Sequence, residues 1–286
     1  MMIELTSTPI ILMVILGVAG MIIPVINVVR RERGSSTFYG AIAFGGLLLA
    51  LGFVIFQFYT DNVAPAAIFS EDVLVDDGFG SFFAIAMLIV SIMTVAGSFN
   101  YMRKKSNPAI YFSLILLSTI GMVLIAFATD LVMLFVAWEL MSIPTYILAG
   151  FNKKSSASNE AAIKYFLFGA LSSGIIIYGI SLAYGITGST NIGDVIYGFA
   201  NLSPDMLPLG LLAIGMFIAG FGFKMGLVPF HMWLPDTYEG SPPTITALLA
   251  AGTKKAGFAA ALRIIIMGAA ALNLDWTLAL GVIAIM

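Results

Sequence analysis

Apolar runs of about 20 residues recur from one end of this chain to the other, with short polar breaks between them. No water reaches the hydrocarbon of a bilayer, so a segment placed there must satisfy its own backbone internally. The runs are too long and continuous for barrel strands, which alternate in polarity over about 10 residues. Helices remain, and the expected fold class is an all-α polytopic transmembrane protein of about nine spans. Composition agrees: 60% of the residues are hydrophobic and only 10% charged, against roughly 25% charged in an average soluble domain.

The spans read as residues 8–29, 37–59, 79–101, 108–128, 131–151, 160–185, 207–223 and 242–268, with a last run from 275 to Met286. The first run is too long for a signal peptide and lacks a basic leader, so it reads as a span. The last run stops without a cap or a basic anchor, so a longer parent protein is expected. Ile192, Val195, Ile196 and Phe199 recur at helical spacing and predict a short surface helix within 189–203.

Charge sets the orientation. Arg30, Arg31 and Arg33 follow the first span, Arg103, Lys104 and Lys105 the third, and Lys153 and Lys154 the fifth. Alternating spans put all of them on one side, which is then cytoplasmic. The opposite loops carry Asp61, Glu71, Asp72, Asp76, Asp77, Asp194 and Asp205, with no lysine or arginine. The N-terminus is therefore expected outside, in the plasma membrane of a prokaryote. No basic patch suits nucleic acid. With no cysteine and a single histidine, the chain lacks the usual ligands of iron–sulfur clusters, thiolate haem or zinc. No cofactor or metal is expected in this chain.

From Lys224 to Asp236 the helical pattern fails. Gly226, Pro229 and Pro235 cannot continue a clean helix. In a membrane such backbone is tolerated only where it is buried in protein or lines a water-filled cavity. The remaining cations, Lys164, Lys224, Lys254, Lys255 and Arg263, lie in or at the ends of apolar spans. A central charge costs about 2.5–3.5 kcal/mol on insertion scales and often marks an ion path.

Lys224, at the opening of the break, reads as a proton carrier, against a lysine that merely snorkels. Glu139, midway along the fifth span, either pairs structurally with a cation or tunes a lysine. Desolvation opposes the ammonium and a nearby carboxylate favours it, so a lysine held between the two can load and release a proton. Lys254 and Lys255 point about 100° apart on a helix, so at most one lies on a path and the other is expected to find an acid or a carbonyl. Glu160 and Lys164 have the favourable i, i+4 spacing and form either a structural pair or part of a relay. His231 suits proton relay or a hydrogen bond that holds the break. Arg263 reads as an interfacial anchor.

Three blocks carry a resemblance. They are Val228-Pro-Phe-His-Met-Trp-Leu-Pro-Asp236-Thr-Tyr-Glu-Gly-Ser-Pro-Pro243, Asp130-Leu-Val-Met-Leu-Phe-Val-Ala-Trp-Glu139-Leu-Met-Ser-Ile-Pro-Thr-Tyr146, and Glu160-Ala-Ala-Ile-Lys164-Tyr-Phe-Leu-Phe-Gly169. In this order they resemble the antiporter-like N subunits of the complex I (NADH:quinone oxidoreductase) family and related dehydrogenases. The resemblance is strong over 108–268 and looser over the first three helices. It implies relay roles for Glu139, Lys224 and Lys254 and matches Lys164 to a lysine of the family; Lys164, together with His231 and Lys255 from their own chemistry, is a secondary relay candidate. It also implies inverted five-helix repeats, each with one broken helix, in line with how repeat-built transporters place ion sites. Residues 1–107 would be an N-terminal three-helix segment, 108–268 the first repeat, and 269–286 the start of a second. Two features depart from the pattern: the second repeat is largely missing, and Lys254 is doubled by Lys255.

The function so implied is proton translocation coupled to reduction of a quinone-type carrier. The partners would be other membrane and peripheral subunits, which carry the flavin and iron–sulfur clusters. A cation/proton antiporter subunit of Mrp type is the alternative, and its sign would be sodium dependence. A structural anchor for a hydrogenase or dehydrogenase arm is another, and its sign would be normal proton movement without Lys224.

Overall fold

The computed structural model describes residues 7–30, 35–60, 73–103 and 105–266. Seven helices among them are long and apolar enough to cross a membrane. They are α1 (Thr8–Val29), α2 (Ser36–Thr60), α3 (Gly78–Met102), α4 (Pro108–Phe127), α5 (Leu131–Ala149), α6 (Ser156–Thr187) and, after the short α7 (Ile192–Ala200), α8 (Leu207–Met225). Then come α9 (Leu234–Gly240), α10 (Pro243–Ala247) and α11 (Lys254–Ala261), with π-helical turns over Leu248–Thr253 and Leu262–Ile266. The expected run from 275, the segment 269–286, and the loop residues Arg31, Arg33, Asp61, Glu71, Asp72 and Lys104 lie outside the described residues.

The boundaries follow the apolar runs closely, with one correction. The sixth helix begins at Ser156 rather than near 160 and reaches Thr187. Its first turn is polar and therefore invisible to hydropathy, but Ser155 caps it by accepting from the Ser158 amide at 3.3 Å. At 1.5 Å per residue the helix is about 48 Å long and outruns the hydrocarbon.

α4 is the centre of the bundle. In its span 83% of the residues are buried, against 28% for α2. A Cβ at Gly121 would collide with the backbone of Ala137 and Met141, so α4 and α5 meet almost backbone to backbone. Hydroxyls fasten α4 to three other helices. Ser113 donates to the Gly20 carbonyl of α1 at 2.6 Å, Thr119 to Ser91 of α3 at 2.8 Å, and Tyr111 shares a 2.6 Å bond with Thr244 of α10.

At one end the loops of opposite spans interlock. The Thr8 amide donates to Asp76 at 2.8 Å, Val75 to the Phe127 carbonyl at 3.0 Å, and Leu131 to the Thr190 carbonyl at 2.8 Å. This is the acidic end, and it holds the start of α1. Lys105, Lys153 and Lys154 border one cavity elsewhere on the bundle, at the α3–α4 and α5–α6 turns.

Arg263 corrects an expectation. It is 2% exposed and so does not anchor at an interface. Its guanidinium donates to both carboxylate oxygens of Asp77, at 2.8 and 3.0 Å, and to the Ala126 carbonyl at 2.7 Å. Asp77 is itself buried and caps α3 through the Gly80 amide at 2.7 Å. The separation of 186 residues hid this pair from the sequence. Removing one partner of such a pair leaves a lone buried charge, at a cost of about 3–5 kcal/mol. Arg263→Met should therefore lower the thermal midpoint of the solubilised protein sharply, and the double variant Asp77→Leu/Arg263→Met should recover most of the loss.

Candidate functional site: a buried lysine at a broken helix

Gly226 ends α8 in the left-handed conformation, at φ 75°. Its lack of a side chain matters twice, because a Cβ there would also press on Leu234 and lie 3.5 Å from the Lys254 Nζ. The chain then turns through residues 227–233 and re-enters a helix at α9. Trp233 stabilises this break. It is 1% exposed, donates from its indole to the Phe223 carbonyl at 3.1 Å, and stacks on Tyr165 with centroids 4.7 Å apart. The Phe223 carbonyl also accepts the Gly226 amide at 3.1 Å, so the indole adds a second donor at the end of α8.

The break leaves Lys224, in the last turn of α8, 1% exposed. Its Nζ donates to the Tyr165 hydroxyl at 2.6 Å and to the Ser142 hydroxyl at 3.1 Å. The rings of Tyr165 and Tyr146 lie 4.8 and 5.5 Å from it. Thr145 extends the set, 3.3 Å from the Tyr165 hydroxyl. Among the described residues no carboxylate comes within 4.0 Å of this ammonium. A cation in such a place is held by neutral hydroxyls and ring faces alone.

Glu139 stands one turn before Ser142 on α5, on the same side of the helix. It accepts from the Ser173 hydroxyl of α6. Glu139 and Lys224 thus share the α5–α6–α8 junction without direct contact, each bonded to a different serine. Pro144 lies just beyond. It gives the Leu140 carbonyl no helical donor, and the Thr145 hydroxyl turns back to the Ser142 carbonyl at 2.7 Å.

Lys254 begins α11 directly after the six-residue π-helical stretch. Such widened turns recur at functional positions. Its Nζ is 5.5 Å from the Tyr238 ring, and Tyr238 meets Trp233 edge-on at 6.3 Å. Tyr165, Trp233 and Tyr238 therefore form a row of rings with Lys224 at one end and Lys254 at the other. The Tyr238 hydroxyl is buried and has no hydrogen-bond partner among the described residues.

The other candidates fall away from this row. Lys255 is exposed and donates to the Ala251 carbonyl at 3.2 Å. Lys164 pairs with Glu160 at 2.6 Å and with Asp236 at 2.5 Å on the surface, tying α6 to α9. His231 is exposed, and it is Trp233 that holds the break. Sequence reasoning passed over Ser142, Ser173, Tyr165, Asp236 and Tyr238. Only Ser142 had a signal, its spacing of three from Glu139.

Residues 128–286 match the family model described as NADH:quinone oxidoreductase/Mrp antiporter, transmembrane. The F(420)H(2) dehydrogenase subunit N of Methanosarcina mazei is 44% identical over 209 residues, 73% of this chain and 42% of that protein. The NADH-quinone oxidoreductase subunit N of Trichlorobacter lovleyi is 39% identical over 277 residues, 96% of this chain and 55% of that protein. The chain spans about half the length of the curated relatives it matches. A chain of respiratory complex I from Thermus thermophilus with bound aureothin superposes with a TM-score of 0.73 and 32% identity, over 88% of this chain and 53% of that one. The membrane-bound sulfane sulfur reductase, an archaeal respiratory membrane complex, shares the fold at a TM-score of 0.75 and 24% identity, over 88% and 52%.

Loss of the Tyr165 hydroxyl leaves the buried ammonium with Ser142 as its one remaining acceptor. A hydrogen bond to a charged group contributes about 1.5–3 kcal/mol. Tyr165→Phe should lower stability by that amount in thermal denaturation. Thr145→Val, which removes only the more distant hydroxyl, should cost less than half as much.

Proposed function

We infer the function from one premise: this chain belongs to the NADH:quinone oxidoreductase/Mrp antiporter transmembrane family. We propose that it is the proton-translocating membrane subunit of a complex I-like respiratory dehydrogenase. The observation that carries this reading is Lys224, a fully buried lysine held by two hydroxyls at a helix break. A structural cation can be matched by a carboxylate, as Arg263 is by Asp77. A lysine with only neutral acceptors can lose its proton without stranding an anion beside it.

In this reading residues 108–268 form the first repeat. Protons enter from the basic, cytoplasmic end and load Lys224. Glu139, a helical turn from Ser142, biases the loaded state through its charge. The proton then moves toward Lys254 through water between the Tyr165 and Tyr238 hydroxyls, with the Trp233 ring as a wall of that path rather than a carrier. Lys255, His231 and the Lys164–Glu160–Asp236 cluster would act at the margins of the path. The protein sits in a prokaryotic plasma membrane with its N-terminus outside. Electrons pass through partner subunits that carry flavin and iron–sulfur clusters to a quinone-type acceptor. The cysteine-free sequence with its single histidine fits that division.

The test uses membranes carrying the whole complex, with electron transfer and proton uptake recorded together. Lys224→Ala should reduce both by about tenfold or more while the complex stays assembled, since a positioned proton carrier contributes at least that much. Glu139→Gln should reduce both by less. An unchanged proton-to-electron ratio and rate in Lys224→Ala would make the buried charges structural. Transport that requires sodium would place the chain with the antiporter branch of the family instead.

A further inference from the structure

The proposed relay leaves one large feature unused. A cavity of about 770 Å³ opens where α3 and α5 end and α4 and α6 begin, within the roughly 300–1,000 Å³ range of small-molecule sites. Lys105, Lys153 and Lys154 line it, and among the described residues no aspartate or glutamate does. All three lysines are exposed, and among the described residues none is in an ion pair. Ser106 and Asn107 add polar side chains at the start of α4, where the helix dipole contributes further positive potential. The Lys105 ammonium lies 5.5 Å from the Tyr101 ring, which also borders the cavity. The chemistry is that of a phosphate site.

The opposite wall is apolar. Ile110 and Ile147 line the cavity and are about half exposed. From Ile147 the exposed face of α5 continues through Ile143, Val136 and Val132. The spacings of four, seven and four residues keep these side chains on one face of the helix. A free anion has no use for such a stripe. A molecule with a phosphate head and hydrocarbon tails fits both parts, and basic recesses at the cytoplasmic ends of transmembrane helices suit anionic headgroups.

We propose that this cavity binds one anionic phospholipid, with its phosphate among Lys105, Lys153 and Lys154 and an acyl chain along Ile110, Ile147 and the α5 stripe. Tyr146 forms part of the cavity wall, and its ring also lies 5.5 Å from the Lys224 ammonium. The lipid therefore packs against a ring that shields the buried lysine.

The test is photolabelling of the whole complex, reconstituted in phosphatidylcholine vesicles, with a phosphatidylglycerol bearing a photoreactive acyl chain. Labelled peptides should contain Ile110 and Ile147. Unlabelled phosphatidylglycerol should compete, while extra phosphatidylcholine and inorganic phosphate should not. In the variant Lys105→Gln/Lys153→Gln/Lys154→Gln the phosphatidylglycerol needed for half-maximal labelling should rise on the order of a hundredfold, as three surface cations imply. The lysines are exposed and unpaired, so assembly on a native gel should be unchanged. Labelling that persists in the triple variant, or is displaced equally by phosphatidylcholine, overturns the proposal. Displacement by inorganic phosphate makes this a free-phosphate site and overturns it too. So does absence of label at these peptides with crosslinking of Lys153 to an acidic segment of a neighbouring subunit.

Discussion

In hydrocarbon no water completes a hydrogen bond, so a polar group of this bundle gains one only on its own helix or on another one. α4 shows the consequence. Ser113, Thr119 and Tyr111 reach α1, α3 and α10, and the carbonyl of Ala126 near its end takes a guanidinium from the far end of the described chain. Interhelical bonds of this kind average about 0.6 kcal/mol each in membranes. Their larger effect is geometric. With Gly121 letting α5 approach within backbone contact, they fix the register in which the neighbouring helices stand.

The same constraint shapes the site. A helix cannot be interrupted in a membrane unless the freed groups are met, and at the end of α8 the Gly226 amide and the indole of Trp233 both donate to the Phe223 carbonyl. That side chain also stacks on Tyr165, whose hydroxyl holds Lys224. The break, the aromatic row and the buried ammonium are therefore one structural unit. The two buried cations among the described residues are treated differently. Arg263 is matched by Asp77 and ties α3 to the last turns of the chain. Lys224 has hydroxyls instead, while Glu139 stands one helical turn from Ser142 on α5, bonded to Ser173.

Much of this was legible in advance, for physical reasons. Helix ends followed the apolar runs because burial in lipid acts on local composition. The failure was at α6, whose polar first turn is fixed by the Ser155 cap rather than by hydropathy. The interruption after Lys224 was visible in Gly226, Pro229 and Pro235, which act on the local backbone. Arg263 was misread because its partner lies 186 residues away and periodicity carries no information about which helices touch. Tyr165 was hidden for a similar reason. It follows the surface ion pair of Lys164, and only the packing of α6 on α8 turns its hydroxyl inward.

The sequence by itself determined the limits of the long apolar helices, the acidic and basic ends, the place of the helix break and the ionisable residues available for chemistry. Those properties follow from short stretches of chain meeting lipid or water. Tertiary structure decided which cation is neutralised and which is not, which of the adjacent lysines Lys254 and Lys255 faces the aromatic row, and that three loop lysines border one cavity. Such outcomes depend on distances between residues far apart in the chain, and only the packed helices set those distances.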